Sequence, residues 1–129
     1  MRWIGALAFV YWTGFAHAQP VIPLTQASVP IVIAGAATTL LVAGAAGQSI
    51  YVTSVSVDGT AAGNIQFISG TGATCGTGTA NVTGTYSLAL SGIMTFGSGS
   101  GIVWVVPQGA SLCAVSSAAM AGSLSYARF

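Results

Sequence analysis

Charged side chains are almost absent from this sequence. Its 129 residues include two arginines, one aspartate and one histidine, and they include no lysine and no glutamate. Arg2 and His17 stand near the start, which leaves Asp58 and Arg128 as the only charged side chains further along the chain. Acid–base catalysis needs a side chain that titrates near the working pH, and a Ser-His-Asp or Cys-His arrangement needs a histidine. The sequence therefore predicts a protein that is not an enzyme and has no catalytic residues.

Side chains that could hold a metal ion are equally scarce. After the first segment, the candidates are the thiols of Cys75 and Cys113 and the carboxylate of Asp58. A zinc site takes three or four Cys, His or carboxylate ligands, and calcium sites usually contain several carboxylates. Nucleic-acid affinity depends largely on Lys and Arg side chains against phosphates, which one arginine cannot supply. We expect no metal, no cofactor and no nucleic-acid partner.

The first eighteen residues have the features of an export signal. Arg2 gives a basic start, residues 4–15 form a short apolar run, and Ala16-His17-Ala18 provides small residues at a cleavage site. The run is too short to cross a bilayer comfortably. We expect cleavage between Ala18 and Gln19 and a secreted, extracellular or virion-surface protein. Membrane contact is expected only through this segment if it stays uncleaved.

The remainder divides into an arm and one domain. Residues 19–28 are rich in proline and glutamine and predict an extended N-terminal arm, with a disordered tail as the alternative. Residues 29–129 are expected to form a single domain. Residues 29–47 carry no charge and are apolar enough for a membrane helix. However, they are β-branched at the start and are interrupted by small residues at 35–38. Two short strands are the preferred interpretation, with the membrane helix as the alternative.

Alternating apolar residues indicate strands along the rest of the chain. In residues 50–57, Ile50 and Val52 have one parity and Val55 and Val57 the other, which predicts a β-bulge near Thr53. The strand predicted at residues 64–69 alternates over residues 64–67, with Ile65 and Phe67 on one face. Residues 102–106 are instead apolar at every position, which is typical of a strand covered on both faces. About eight short strands separated by Gly, Ser and Thr turns predict an all-β fold. The expected architecture is a jelly-roll-like β-sandwich.

Cys75 and Cys113 are the only two cysteines. In an exported protein such a pair is expected to form a disulfide, with two buried free thiols as the alternative. Cys75 lies in a glycine- and threonine-rich stretch at residues 70–78, which lacks the spacing of a phosphate-binding or dinucleotide-binding loop. We predict a structural bond that fastens this surface loop to a late strand.

Several motifs in the second half of the chain resemble those of small all-β proteins found in bacteriophage genomes. They are residues 74–79 (TCGTGT), 83–88 (TGTYSL), 106–113 (VPQGASLC), 117–119 (SAA) and 122–129 (GSLSYARF). The resemblance covers roughly residues 50–129 and implies a virion structural or decoration module. An export signal departs from that pattern, because many virion proteins assemble in the cytoplasm. It leaves open a bacterial surface protein.

The missing charge also favours assembly over a free monomer. Soluble domains normally keep a charged surface and a net charge away from zero. We therefore expect a homo-oligomeric structural module of a virion or extracellular layer, which associates with itself or with other surface proteins.

The alternative is a secreted module that binds neutral glycans or a cell-surface partner. Its stacking platforms would be aromatic and its hydrogen-bonding groups would be amides. The aromatic candidates are Trp104, Tyr51, Tyr86 and Tyr126, and the amide candidates are Asn64, Gln66 and Gln108. A row of exposed rings on one face would favour glycan binding, and buried rings would favour the structural role.

Overall fold

The computed structural model describes residues 26–98 and 100–129, which form ten β-strands and no helix. The predicted signal segment and most of the predicted arm lie outside these residues. The strands are β1 Ala27–Ile33, β2 Ala37–Val42, β3 Ile50–Asp58, β4 Gly63–Thr71, β5 Thr77–Asn81, β6 Tyr86–Leu88, β7 Ile93–Phe96, β8 Trp104–Val106, β9 Ser111–Ser116 and β10 Met120–Arg128. The prediction of an all-β domain is confirmed.

The strands form two five-stranded antiparallel sheets. Sheet A has the order β1-β10-β3-β7, with β8 also on β3, and sheet B has the order β2-β9-β4-β5, with β6 also on β4. The pairs β5/β6 and β7/β8 each occupy one position beside a long central strand. If β5 and β6 are counted as one strand and β7 and β8 as another, the two sheets contain eight strands in the order of a jelly roll, as predicted. Ten short strands are present because two of these eight are interrupted.

The interruption in sheet A coincides with the predicted bulge. Ser125 of β10 lies opposite Ser54 and Tyr126 lies opposite Val52, which leaves Thr53 of β3 without an opposite residue. The Thr53 hydroxyl is buried and donates to the Ser125 carbonyl oxygen at 3.2 Å. On the other side of β3, strand β8 pairs with residues 50–52, before Thr53, and β7 pairs with residues 55–58, after it. Because of the bulge, the apolar residues of β3 before Thr53 and those after it all face the core, although the two sets have opposite parity.

A second threonine interrupts the outer strand of sheet B. The N–H groups of Val82 and Thr83 both donate to the Phe67 carbonyl oxygen, at 3.0 and 3.1 Å. The Thr83 hydroxyl accepts from the Phe67 N–H at 3.1 Å, and its carbonyl oxygen accepts from Gln66 Nε2 at 3.1 Å. Thr83 is buried. Its hydrogen bonds to β4 take the place of the regular β-ladder at the point where β5 and β6 would otherwise form one continuous strand.

The core lies between the two sheets. Sheet A contributes β-branched residues from β1 and β3 with Leu124, and sheet B contributes Phe67, Ile65 and Leu112. These side chains alternate along each strand with outward-facing ones, as sandwich packing requires. The core residues exposed by less than 2% include Phe67, Ile31, Ile50, Ile65, Leu112, Met120 and Leu124.

Residues 29–47 form strands rather than a helix. They contain most of β1 and all of β2, and β1 begins at Ala27, two residues before the predicted start of the domain. Among the described residues no helix is long and apolar enough to cross a membrane.

Residues 102–106 differ from their prediction. Only Trp104–Val106 forms a strand, and it packs on the core through one face. Val105 remains 50% exposed and Ile102 54% exposed. Every position is apolar because β8 is an outer strand whose solvent-exposed face also carries apolar side chains. The prediction that this strand is covered on both faces was wrong.

Candidate interaction surface

The predicted disulfide joins Cys75 to Cys113, with a Cα–Cα distance of 6.2 Å. Both cysteines are fully buried. Cys113 lies on β9 between Leu112 and Ala114, whose side chains enter the core, so its own side chain points out of the sandwich. The bond therefore lies on the outer face of sheet B.

The disulfide holds a loop over this face. Cys75 lies in the β4–β5 hairpin loop and has a positive φ of 53°. With Cys113, Ile68 and Val115, it forms a small apolar cluster separate from the main core. Gly70 makes the close approach possible, since a Cβ there would lie 2.5 Å from the Cys75 carbonyl oxygen. The hairpin loop thus covers apolar side chains that sheet B would otherwise expose.

Two of the four predicted stacking aromatics help to close one side of the sandwich. Trp104 contacts Phe67 across the sheets, with ring centroids 5.0 Å apart, and contacts Phe96 at 5.4 Å. Phe96 also contacts Tyr86 at 5.1 Å. Phe67 is buried and the other three rings are half-buried. These rings join β6 to β7 and β8 and do not form an exposed row.

The other two candidates, Tyr51 and Tyr126, lie in different surroundings. Tyr126 packs against the main core, and the Arg128 guanidinium carbon lies 5.4 Å from its ring centroid. Tyr51 is half-buried on the outer face of sheet A, where its ring centroid is 5.5 Å from that of Phe129. The four rings therefore do not share a surface.

The candidate amides are also dispersed. The Ser87 hydroxyl donates to Asn64 Oδ1 at 2.8 Å, and Gln66 donates to Thr83, so both amides hold β4 to neighbouring segments of their own sheet. Gln108 is exposed in the turn between β8 and β9. No shared binding site brings these amides together with the four rings in the described part of the chain.

The outer face of sheet A is open and carries hydroxyl groups in two rows. One row crosses the sheet as Ser28, Ser125 and Ser54, and the next as Pro30, Ser123, Ser56 and Thr95. Within the described residues, none of these six hydroxyls has a hydrogen-bond partner. Cross-strand neighbours lie about 4.8 Å apart, so the rows form a regular uncharged array.

Apolar residues lie at both ends of this array. At one end, Val32, Ala121, Asp58 and Ile93 form a row, in which Val32 and Ile93 are each 71% exposed. At the other end, Ala127, Tyr51 and Val105 form a row beside the ring of Phe129. Among the described residues, Asp58 is the only charged side chain on the face.

Arg128 does not belong to this face. Its Nη2 donates to the Ala43 carbonyl oxygen at 2.8 Å, at the end of the sandwich. Its strand, β10, lies between β1 and β3 and is not an edge. A charge guards a sheet edge only from an edge strand, so Arg128 does not protect an edge of sheet A.

Sequence reasoning did not identify the hydroxyl face. The alternating serines of β3 and β10 are visible in the sequence, but they combine only because these strands are neighbours, although more than sixty residues separate them. Comparison with known proteins adds no candidate, since no family model, curated protein or solved structure matches the chain.

Proposed function

We propose that the protein is a non-enzymatic structural module that is exported and forms part of a virion surface or an extracellular layer. The observation that carries this proposal is the open outer face of sheet A. In the described part of the chain, its six hydroxyls bond to no other residue and Asp58 is its one charged side chain. A monomer that must stay soluble normally displays mixed charges there. Contact with neighbouring molecules removes this requirement.

The edges of the sheets favour contact through a face over contact through a strand edge. None of the edge strands formed by the described residues contains a charged side chain. Instead, β1 contains Pro30, β2 has a register shift between Leu40 and Val42, and the opposite edges consist of strands of three to five residues. Proline, bulges and short strands all limit edge-to-edge pairing.

The disulfide is consistent with an extracellular location, because such bonds persist in oxidising compartments.

The alternative function, glycan binding, is less well supported. Its four candidate rings are half-buried and dispersed, and three of them pack against the core. Assembly is therefore the function that the described surface favours.

Two measurements test the proposal. Mass spectrometry of purified particles, extracellular layers and clarified culture supernatant should find the protein in an assembled fraction, with peptides starting at Gln19. Light scattering on purified, oxidised protein should show species larger than a monomer. A protein that remains monomeric at high concentration near neutral pH and occurs only in the supernatant would contradict the proposed function.

A further inference from the structure

We propose that two copies of this chain associate through the outer faces of their A sheets, about a two-fold axis that runs across the strands. This inference rests on the proposed structural function and names the surface through which assembly begins. It concerns the array of Ser28, Ser54, Ser56, Thr95, Ser123 and Ser125 with the apolar rows at its two ends.

The two sides of the sandwich differ in how far they are covered. On sheet B, the disulfide loop buries Cys113 and Ile68 beneath residues of the same chain. On sheet A, no described segment lies over the hydroxyl rows, and the exposed residues include Ser123 near the centre and Thr95 on the outer strand β7. The open side is therefore the side available to a neighbour.

A second copy is the occupant that this chemistry favours. A hydroxyl both donates and accepts a hydrogen bond, so a serine array is complementary to an identical array. A two-fold interface requires such self-complementarity, because the same patch serves both partners. A face with several charges of one sign would repel its copy. This face has only Asp58, at one end.

The proposed axis reverses the strand direction and keeps the lateral order of the strands. The apolar row that contains Ile93 in one copy therefore lies over the apolar row that contains Val105 in the other copy. This follows because β7 and β8 lie along the same side of β3. The same axis brings Asp58 towards Tyr51 of the second copy, where the phenol can donate to the carboxylate. The two Asp58 side chains lie at opposite ends of the contact and do not repel each other.

The size of the face sets the strength of the contact. Four strands at about 4.8 Å spacing and nine residues at about 3.3 Å rise cover roughly 19 Å by 30 Å. This gives on the order of 600 Å² per copy, below the roughly 800 Å² per partner of a standard stable interface. We expect a weak, reversible dimer that a larger assembly strengthens through repeated contacts.

The test introduces a negative or a positive charge at Ser123, near the centre of the face. Ser123 is exposed, and its neighbours in the row are Pro30 and Ser56. We expect Ser123→Glu and Ser123→Lys each to weaken dimerisation at least tenfold in sedimentation velocity across a concentration series, and an equimolar mixture of the two to restore it. The matched controls are Asn81→Glu and Asn81→Lys, on an exposed strand residue of sheet B. They should dimerise like the unaltered protein.

The outcomes separate this inference from the function on which it rests. If the unaltered protein associates and both Ser123 variants associate equally well, or if the mixture fails to recover, the assembly stands and this face is the wrong one. If the unaltered protein is monomeric throughout, this inference fails, and the proposed function fails with it when the protein also occurs only in the supernatant. Binding of that monomer to an insoluble neutral polysaccharide, lost in Ser123→Glu, would assign the face to glycans. Circular dichroism confirms folding, and Ser56→Glu with Ser56→Lys repeats the test on β3.

Discussion

Two buried threonines determine where the outer strands of the sandwich are interrupted. Thr53 bulges out of β3 and bonds to β10, while Thr83 inserts its hydroxyl and backbone against β4. Each replaces part of a ladder with a few specific hydrogen bonds. Because Thr53, Thr83 and Phe67 are buried, loss of these bonds leaves their polar atoms without water or a partner.

Thr83→Val should therefore destabilise the protein. The substitution keeps the side-chain shape and removes the oxygen that accepts from the Phe67 N–H. We expect the free energy of unfolding to fall by about 1–3 kcal/mol, measured by chemical denaturation. Thr85→Val, at an exposed position two residues away, should change it by no more than about 0.5 kcal/mol. Equal effects at the two positions would show that the hydroxyl of Thr83 is not important.

Gly70→Ala tests the close approach of the disulfide loop. The new Cβ would meet the Cys75 carbonyl oxygen at 2.5 Å, so the loop must move away from β4. We expect a loss of about 1–3 kcal/mol, as for other overpacked sites. Gly84→Ala is the control, since a Cβ there meets no atom within 4 Å. Unchanged thermal stability of Gly70→Ala would mean that the loop does not lie against the strand.

At the scale of elements, the β4–β5 hairpin depends on the disulfide more than the sandwich does. The cluster of Ile68, Cys75 and Cys113 is separate from the core between the sheets. The bond closes a segment of 38 residue steps, for which chain entropy predicts a contribution of about 4 kcal/mol.

The double variant Cys75→Ala, Cys113→Ala should remain a β-sandwich with a released hairpin loop. We expect an unchanged β-sheet circular dichroism spectrum and a loss of stability of about 2–4 kcal/mol. Hydrogen exchange should accelerate most in residues 72–79 and least in β3 and β10. Uniform acceleration in all strands would contradict a local role for the bond.

The elements also show what the sequence could predict. The bulge at Thr53 was predictable because the apolar parity changes within a few residues of it. The interruption at Thr83 was not, because its cause is a hydrogen bond to Phe67, sixteen residues away. The cysteine pairing followed from there being only two. That the Cys113 side chain points out of the sandwich could not be predicted, because residues 112–115 are apolar at both parities. The hydroxyl face required the strand order.

At the scale of the whole molecule, the scarcity of charge makes stability insensitive to conditions that affect most proteins. The described residues contain no histidine, the side chain that ordinarily titrates between pH 5 and 8. Stability changes with pH only when folding alters the number of bound protons. Asp58 and Arg128 also make no ion pair with each other for salt to screen, since Asp58 is at one end of β3 and Arg128 pairs with Ile50 at the other.

We therefore expect the free energy of unfolding to vary by less than about 0.5 kcal/mol between pH 6 and pH 8. Raising sodium chloride from 0.05 to 0.5 M should likewise leave dimerisation within about twofold, because salt screens charges and this face has almost none. Guanidinium denaturation and sedimentation at each condition provide the measurements. A steep pH slope would show that a proton-binding group outside the described residues takes part in folding.

The position of β10 has a consequence for how the protein is made. This strand comes from residues 120–128, yet it lies inside sheet A and pairs with both β1 and β3. A growing chain on the ribosome therefore holds β1 and β3 without the strand that joins them until residues 120–128 have emerged. Sheet A can close only after this strand has emerged. Under the proposed export, the chain would meet the export channel while sheet A is still open.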